Sequence, residues 1–200
     1  LGHYALILAL ATVIIQSVLP LIGTIRNDRA LMAVAPAAAF AGFLLVLFSF
    51  SVLTFAYVVS DFSVANVWEN SHSLKPMIYK ISGVWGNHEG SMLLWLLILV
   101  FFSALVASFG ANLPERLRAN VLAVQGLIST AFALFILLTS NPFIRLSPAP
   151  AEGQDLNPVL QDIGLAIHPP LPYLGYVGFS VCFSFHIAAL IDRRIDAAGA

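Results

Sequence analysis

Polar side chains all but vanish from five stretches of this chain, at about 4–25, 37–59, 91–110, 121–140 and 171–191. A helix needs about 20 apolar residues to cross the hydrocarbon layer of a bilayer. The pattern therefore predicts an all-α fold: a polytopic integral membrane helix bundle with about five transmembrane helices. The first stretch is too long for a signal-peptide core and has no basic region ahead of it, so it should stay attached. Basic residues alternate between the two sides. Arg26 and Arg29 follow the first stretch, Arg116 and Arg118 the third, and Arg193 and Arg194 the fifth, whereas the opposite loops hold only Lys75, Lys80 and Arg145. Arginine and lysine collect in cytoplasmic loops. The expectation is an N-terminus outside, with the 60–90 and 141–170 loops on the same outer side.

The inner connections RNDRALMA and NLPERLRAN read as tight corners, while the outer ones are longer. Residues 61–80 carry Asp61, Trp68, Glu69 and His72, and lead into PMIYKISGVWGNHEGS. That run is too apolar for a solvated loop and too broken by glycine for a plain helix. An interfacial or re-entrant segment fits it, since non-helical backbone at membrane depth must be covered by protein or line a cavity. The 142–170 loop is rich in proline, and no internal repeat stands out.

Composition agrees with a membrane chain: 60% of residues are hydrophobic and 10% charged, against about 25% charged in soluble domains. A net charge of −1 argues against a nucleic-acid partner. The single cysteine, Cys182, excludes an internal disulfide and a cysteine-based zinc site, and reads as a small apolar packing residue. The chain opens on Leu1 and closes after the charged run IDRRID, as a piece of a longer polypeptide would.

Candidate chemistry gathers on the outer side. In IHPPLPYLGYVGFSV, His168 precedes Pro169 and Pro170 where a polar loop meets the last apolar stretch. A proline pushes the residue before it toward extended backbone and is tolerated in the first turn of a helix. His168 is thus expected on a stiff stalk at the membrane surface, above a positive helix end that disfavours imidazolium. Such an imidazole suits a metal centre or a haem. The second constellation, Trp85-Gly86-Asn87-His88-Glu89-Gly90-Ser91, precedes MLLWLLILVFF. Asn87 or Ser91 can cap that helix and Glu89 suits its dipole, with Trp85 and Trp95 as an interfacial belt. Gly86 and Gly90 also permit close approach of backbone to a flat ligand or another helix. A third feature is the stripe Gly175, Gly178, Cys182 and His186 on one helical face, a pattern of close helix packing, with His186 near the inner flank. His3 and His72 read as solvated or capping residues, and Gln16 and Ser17 as bonding across helices. No serine-histidine-acid order, phosphate loop or carboxylate pair has convincing context.

WGNHEGSMLLW, NPFIRL, DLNPVLQDIGLAIHPPLPYLGYVGFSV and the opening LGHYALILALATVIIQSVLPLIG together resemble the N-terminal part of the CcmF family. These are the membrane haem lyases of bacterial cytochrome c maturation, within a wider haem-handling superfamily. The family pattern WGGHEGS is met with Asn87 in place of its second glycine. Its HPPxLYMGYVGFSV is matched from His168 to Val181 except at Pro172 and Leu174. Nitrite-reductase-associated haem lyases share much of the pattern.

The resemblance implies a haem lyase of the bacterial inner membrane that attaches haem b to the CxxCH motif of apocytochrome c on the periplasmic face. His168 would be one axial ligand to the haem iron, with Trp85, Gly86, His88, Glu89, Gly90, Pro169 and Pro170 in support. The second axial histidine, a tryptophan-rich haem segment and the ligands of a second, b-type haem would all lie downstream. The implied partners are a haem chaperone (CcmE-like), apocytochrome c, a thiol-handling membrane protein (CcmH-like) and lipid. A haem exporter or chaperone-loading protein would use similar histidines without forming a thioether. A transporter would use a broken segment such as 76–91, although here acidic residues are nearly absent from the spans.

Overall fold

Each of the five apolar stretches folds as one long helix in the computed structural model, which describes residues 1–155, 157–158 and 161–192. The long helices are α1 (Gly2–Arg26), α3 (Val34–Val58), α6 (His88–Phe109), α7 (Glu115–Thr139) and α9 (Pro170–Asp192), all long and apolar enough to cross a membrane. Short helices join them: α2 (Arg29–Met32), α4 (Ala65–Asn70), α5 (Met77–Gly83) and α8 (Ile163–Ile167). Among the described residues the only β pairing is an isolated antiparallel bridge from Val64 to Arg145.

The helix ends follow from local chemistry. Asn27 adopts the left-handed conformation (φ 58°, ψ 34°) that closes α1, a position open to asparagine. Asp28 then accepts from the backbone of Ala30 at 2.9 Å and of Leu31 at 3.3 Å, starting α2. The arginine-rich corner is therefore tight, as its sequence predicts. Helices α6 and α7 begin three and six residues before their apolar stretches, because His88-Glu89-Gly90 and Glu115–Asn120 belong to the first turns. Hydropathy marks the membrane-compatible part of a helix, and caps lie outside that part.

Helix α1 packs between α3 and α7; α6 lies against α3, α7 and α9; and α9 packs mainly against α7 and α6. Leu6, Val13, Val46, Leu53, Leu93, Leu96 and Ile136 form the core. The α1–α7 crossing is close because Gly126 has no side chain: a Cβ there would come within 3.0 Å of Ser17 N and Val13 O. Small residues set such crossings in membranes. Gln16 donates across it from Nε2 to the Leu122 carbonyl at 2.8 Å, as expected, but Ser17 bonds within its own helix, to Ile14 at 2.9 Å.

The stripe on α9 behaves otherwise than its sequence suggests. A Cβ at Gly175 would meet nothing within 4 Å outside its own helix, one at Gly178 would meet the Phe102 ring, and Cys182 is exposed. The packed face is instead Val177, Ser184 and Ala188. His186 turns back on its own helix, its Nδ1 2.7 Å from the Cys182 carbonyl. Only 17% of the α9 span is buried, against 56% for α6.

All loops expected on one side do share one end of the bundle. Ser49 donates to Gly2 O (3.0 Å), Asn141 meets His3 (3.2 Å), and Trp85 reaches the α8 segment. The opposite end holds Arg29 beside Glu115 (3.7 Å) and Arg116 paired with Asp192 (2.8 Å). Arg193 and Arg194 lie outside the described residues.

Candidate functional site

The two motifs meet at that loop-rich end. Residues 76–91, expected to be too broken by glycine for a plain helix, form helix α5, a turn at 84–87 and the start of α6. Asn87, extended at φ −135°, caps α6 by accepting from Gly90 N at 2.9 Å. Its amide nitrogen donates to Gly83 O (2.8 Å) and to the Tyr57 hydroxyl (3.0 Å). Tyr57, fully buried in α3, in turn donates to Asn66 Oδ1 at 2.7 Å. Asn66 closes the circuit by donating to Asn87 Oδ1 (2.8 Å) and Glu89 Oε2 (3.3 Å). Glu89 thus sits in the first turn of α6, where a helix dipole favours an anion. The polar residue that departs from the family glycine is the hub of this network. Tyr57 and Asn66 carried no signal in the sequence, since a tyrosine in an apolar run and a lone asparagine point to nothing until the chain folds.

Gly90 meets a specific demand. A Cβ at this position would fall 1.6 Å from the Val84 carbonyl oxygen. The close approach that glycine permits here is to the preceding turn of the same segment.

A cleft of about 370 Å³ opens between the motifs, lined by Ser82, Trp85, Gly86, Asn87, His88, Ser91 and Met92 on one side and by Ala166, Pro169 and Tyr173 on the other. The Trp85 indole donates to Ala166 O at 2.8 Å. Ser91 does not cap the helix; its hydroxyl donates to Trp85 O at 2.8 Å and lies 3.5 Å from the Tyr173 hydroxyl. Trp95 lies two turns into α6, about 10 Å from its start, stacked on Phe132 (5.7 Å, 11°) and edge-on to Tyr173 (5.3 Å). These rings form the floor beneath Tyr173.

His168 follows α8 on a helical turn, its amide donating to Gly164 O at 2.8 Å, rather than on an extended stalk. It therefore lies between the carbonyl end of α8 and the amide end of α9, whose dipoles oppose each other. The imidazole is exposed and has no partner among the described residues, while its neighbour Pro169 lines the cleft. His88 is engaged: Nε2 lies 3.0 Å from Ser140 Oγ and the ring stands edge-on to Phe135. No carboxylate orients His88 among the described residues, so the pair does not make a nucleophilic triad. Nor do those residues hold a cluster of three or more metal-ligating side chains. A metal at this site would need most of its ligands from elsewhere, as haem iron has from its porphyrin. The features present fit a haem: one free imidazole beside a cleft with flat aromatic walls and a polar rim.

The loop over this end is stitched down. Ser73 donates to Glu152 through its amide (2.9 Å) and its hydroxyl (2.5 Å), Gln154 N donates to Trp68 O (2.8 Å), and Lys75 pairs with Asp155 (3.1 Å). The Ser73 hydroxyl, the Gly153 amide and the Ser73 amide hold the Glu152 carboxyl at about 2. Burial pushes Lys75 below the usual lysine range, against the opposing pull of Asp155. At Asp61 burial acts upward, but the Ser63 hydroxyl and the Arg145 guanidinium outweigh it and leave the carboxyl lowered. His72 accepts from Leu74 N at 3.2 Å and stands 4.0 Å from Glu152, so it belongs to this stitching.

Residues 85–198, from the first motif through the second, match the family described as Cytochrome C assembly protein. The cytochrome c-type biogenesis protein CycK of Rhizobium meliloti (strain 1021) is 78% identical over 200 residues, covering 100% of this chain and 30% of that protein. CcmF of Pseudomonas aeruginosa is 56% identical over 201 residues, covering 100% of this chain and 31% of that protein. A solved structure, the cytochrome c haem lyase CcmF, superposes with a TM-score of 0.85 at 30% identity, covering 98% of this chain and 31% of its own. The chain spans about 30% of the length of the curated relatives it matches. With both motifs on one cleft and five membrane-crossing helices beneath it, the chain belongs to the cytochrome c assembly protein family, as a multi-pass membrane protein of CcmF type.

Proposed function

We propose that this chain forms the haem-presenting half of a cytochrome c haem lyase, with His168 as an axial ligand to the iron of haem b. The observation that carries this reading is the exposed imidazole, without a partner among the described residues, beside the cleft that joins the two motifs. Haem is here the substrate: each thiol of the apocytochrome CxxCH motif adds across a vinyl group, its sulfur bonding to one vinyl carbon and its proton going to the other. This chain's share is positioning. His168 fixes the iron, Trp85 and Tyr173 offer flat apolar walls, and the stitched loop limits water. The haem would come from a haem chaperone, and the apocytochrome would be held by a thiol-handling membrane protein.

In the full-length protein titrated with haem, His168→Gly should weaken binding by at least about tenfold, the scale at which even supporting residues of metal sites are felt. It should also abolish the six-coordinate spectrum, and added imidazole should restore it. An unchanged spectrum would remove His168 from the iron.

The functional end is assigned to the periplasmic side of a bacterial inner membrane. The basis is the arginine-bearing corners at the other end. In a Cys182→Ser background, Asp155→Cys should react with an impermeant thiol reagent from the periplasm. Reaction only from the cytoplasm would invert the orientation.

A further inference from the structure

The double proline after His168 removes a hydrogen-bond donor that α8 would otherwise use. In a continuing helix the Ala166 carbonyl accepts from the amide four residues on, and here that residue is Pro170, which has none. Ala166 is only 5% exposed, so water is a poor substitute. The donor it has is the Trp85 indole, at 2.8 Å, from the other motif. Trp85 is itself fixed: its amide donates to Ser82 O (3.2 Å) and its carbonyl accepts from Ser91 (2.8 Å). A helix of five residues is too short to hold its own shape in isolation, so α8 depends on such outside contacts. On the other side of His168, Tyr173 rests against Trp95 and Ser91, both of α6. The backbone of His168 is thus tied to the start of α6 both before and after the histidine.

We infer that Trp85 is a positioning residue for His168: its indole N–H replaces the donor lost to Pro170 and thereby fixes the turn that presents the imidazole. The two motifs are then one device, since the prolines create the vacancy that the tryptophan fills. The inference rests on His168 being an iron ligand.

Trp85→Phe keeps an aromatic ring in the cleft wall and removes the donor. In the full-length chain without haem, hydrogen exchange at the α8 amides, including those of Ala166 and His168, should quicken about tenfold, since a buried acceptor has lost its donor. Haem affinity should fall by a similar factor, and with it the six-coordinate signal. Added to His168→Gly, the substitution should cost much less, only the wall area lost from indole to phenyl, because the group it positions is already gone. An equal loss in both backgrounds would mean that Trp85 acts on haem only as a wall and would overturn the proposal. Unchanged exchange, with a normal effect of His168→Gly, would overturn it while leaving the ligand in place. If His168→Gly did not weaken haem binding at all, the underlying reading and this proposal would fall together.

Discussion

A strain whose only copy of this protein carries His168→Ala should contain less than about a hundredth of the normal covalent haem-bearing cytochrome c. Residues that merely support metal ligands are worth about 10- to 100-fold, and a ligand should be worth at least as much. The substitution should not disturb the fold. The imidazole is exposed and has no partner among the described residues, and exposed substitutions of that kind usually stay within about ±0.5 kcal/mol. The measurement is haem staining of c-type cytochromes beside immunodetection of the protein in membranes. Normal maturation would show that the histidine-proline-proline run only starts a helix. Absent protein would contradict the exposed placement of the side chain.

Gly90→Ala should have the largest effect on stability of any single methyl added to this chain. Its Cβ would lie 1.6 Å from the Val84 carbonyl oxygen and 2.8 Å from the carbonyl carbon, and both partners are backbone. Relief would need the turn at 84–87 to move, taking Asn87 out of reach of Gly90 N and of the Tyr57 hydroxyl. Overpacking in a tight interior costs about 1–3 kcal/mol and the loss of a helix cap about 1 kcal/mol, so a loss of about 3 kcal/mol is expected. Thermal unfolding in detergent would measure it. A midpoint unchanged within 1–2 °C, corresponding to well under about 1 kcal/mol, would mean that the turn adjusts freely.

The five spans were legible because hydropathy has one strong cause, the exclusion of polar groups from lipid. The loops at one end were legible for a related reason, since every span crosses from one side to the other and alternate connections therefore fall together. Asn87 could be read as a cap because it directly precedes a helix. Its role as hub could not, because Tyr57 and Asn66 come from parts of the sequence with no local pattern linking them. The α9 stripe misled because helical periodicity shows which residues share a face without showing which face meets a neighbour; Val177, Ser184 and Ala188 form the packed one. The extended stalk at His168 failed for a similar reason. Proline restricts the residue before it, but a short helix can still run up to that residue.

The bond from Gln16 to the Leu122 carbonyl links positions 106 residues apart. A ribosome adding about 5–20 residues per second needs roughly 5–20 s to make the acceptor after the donor has been made. For that interval α1 carries a primary amide in its middle with no cross-helix partner, and lipid offers it none. The amide must either point into the water-filled insertion channel or bond back on its own helix. The first helix of this chain is therefore the one whose release into the bilayer is best delayed until α7 has been synthesised.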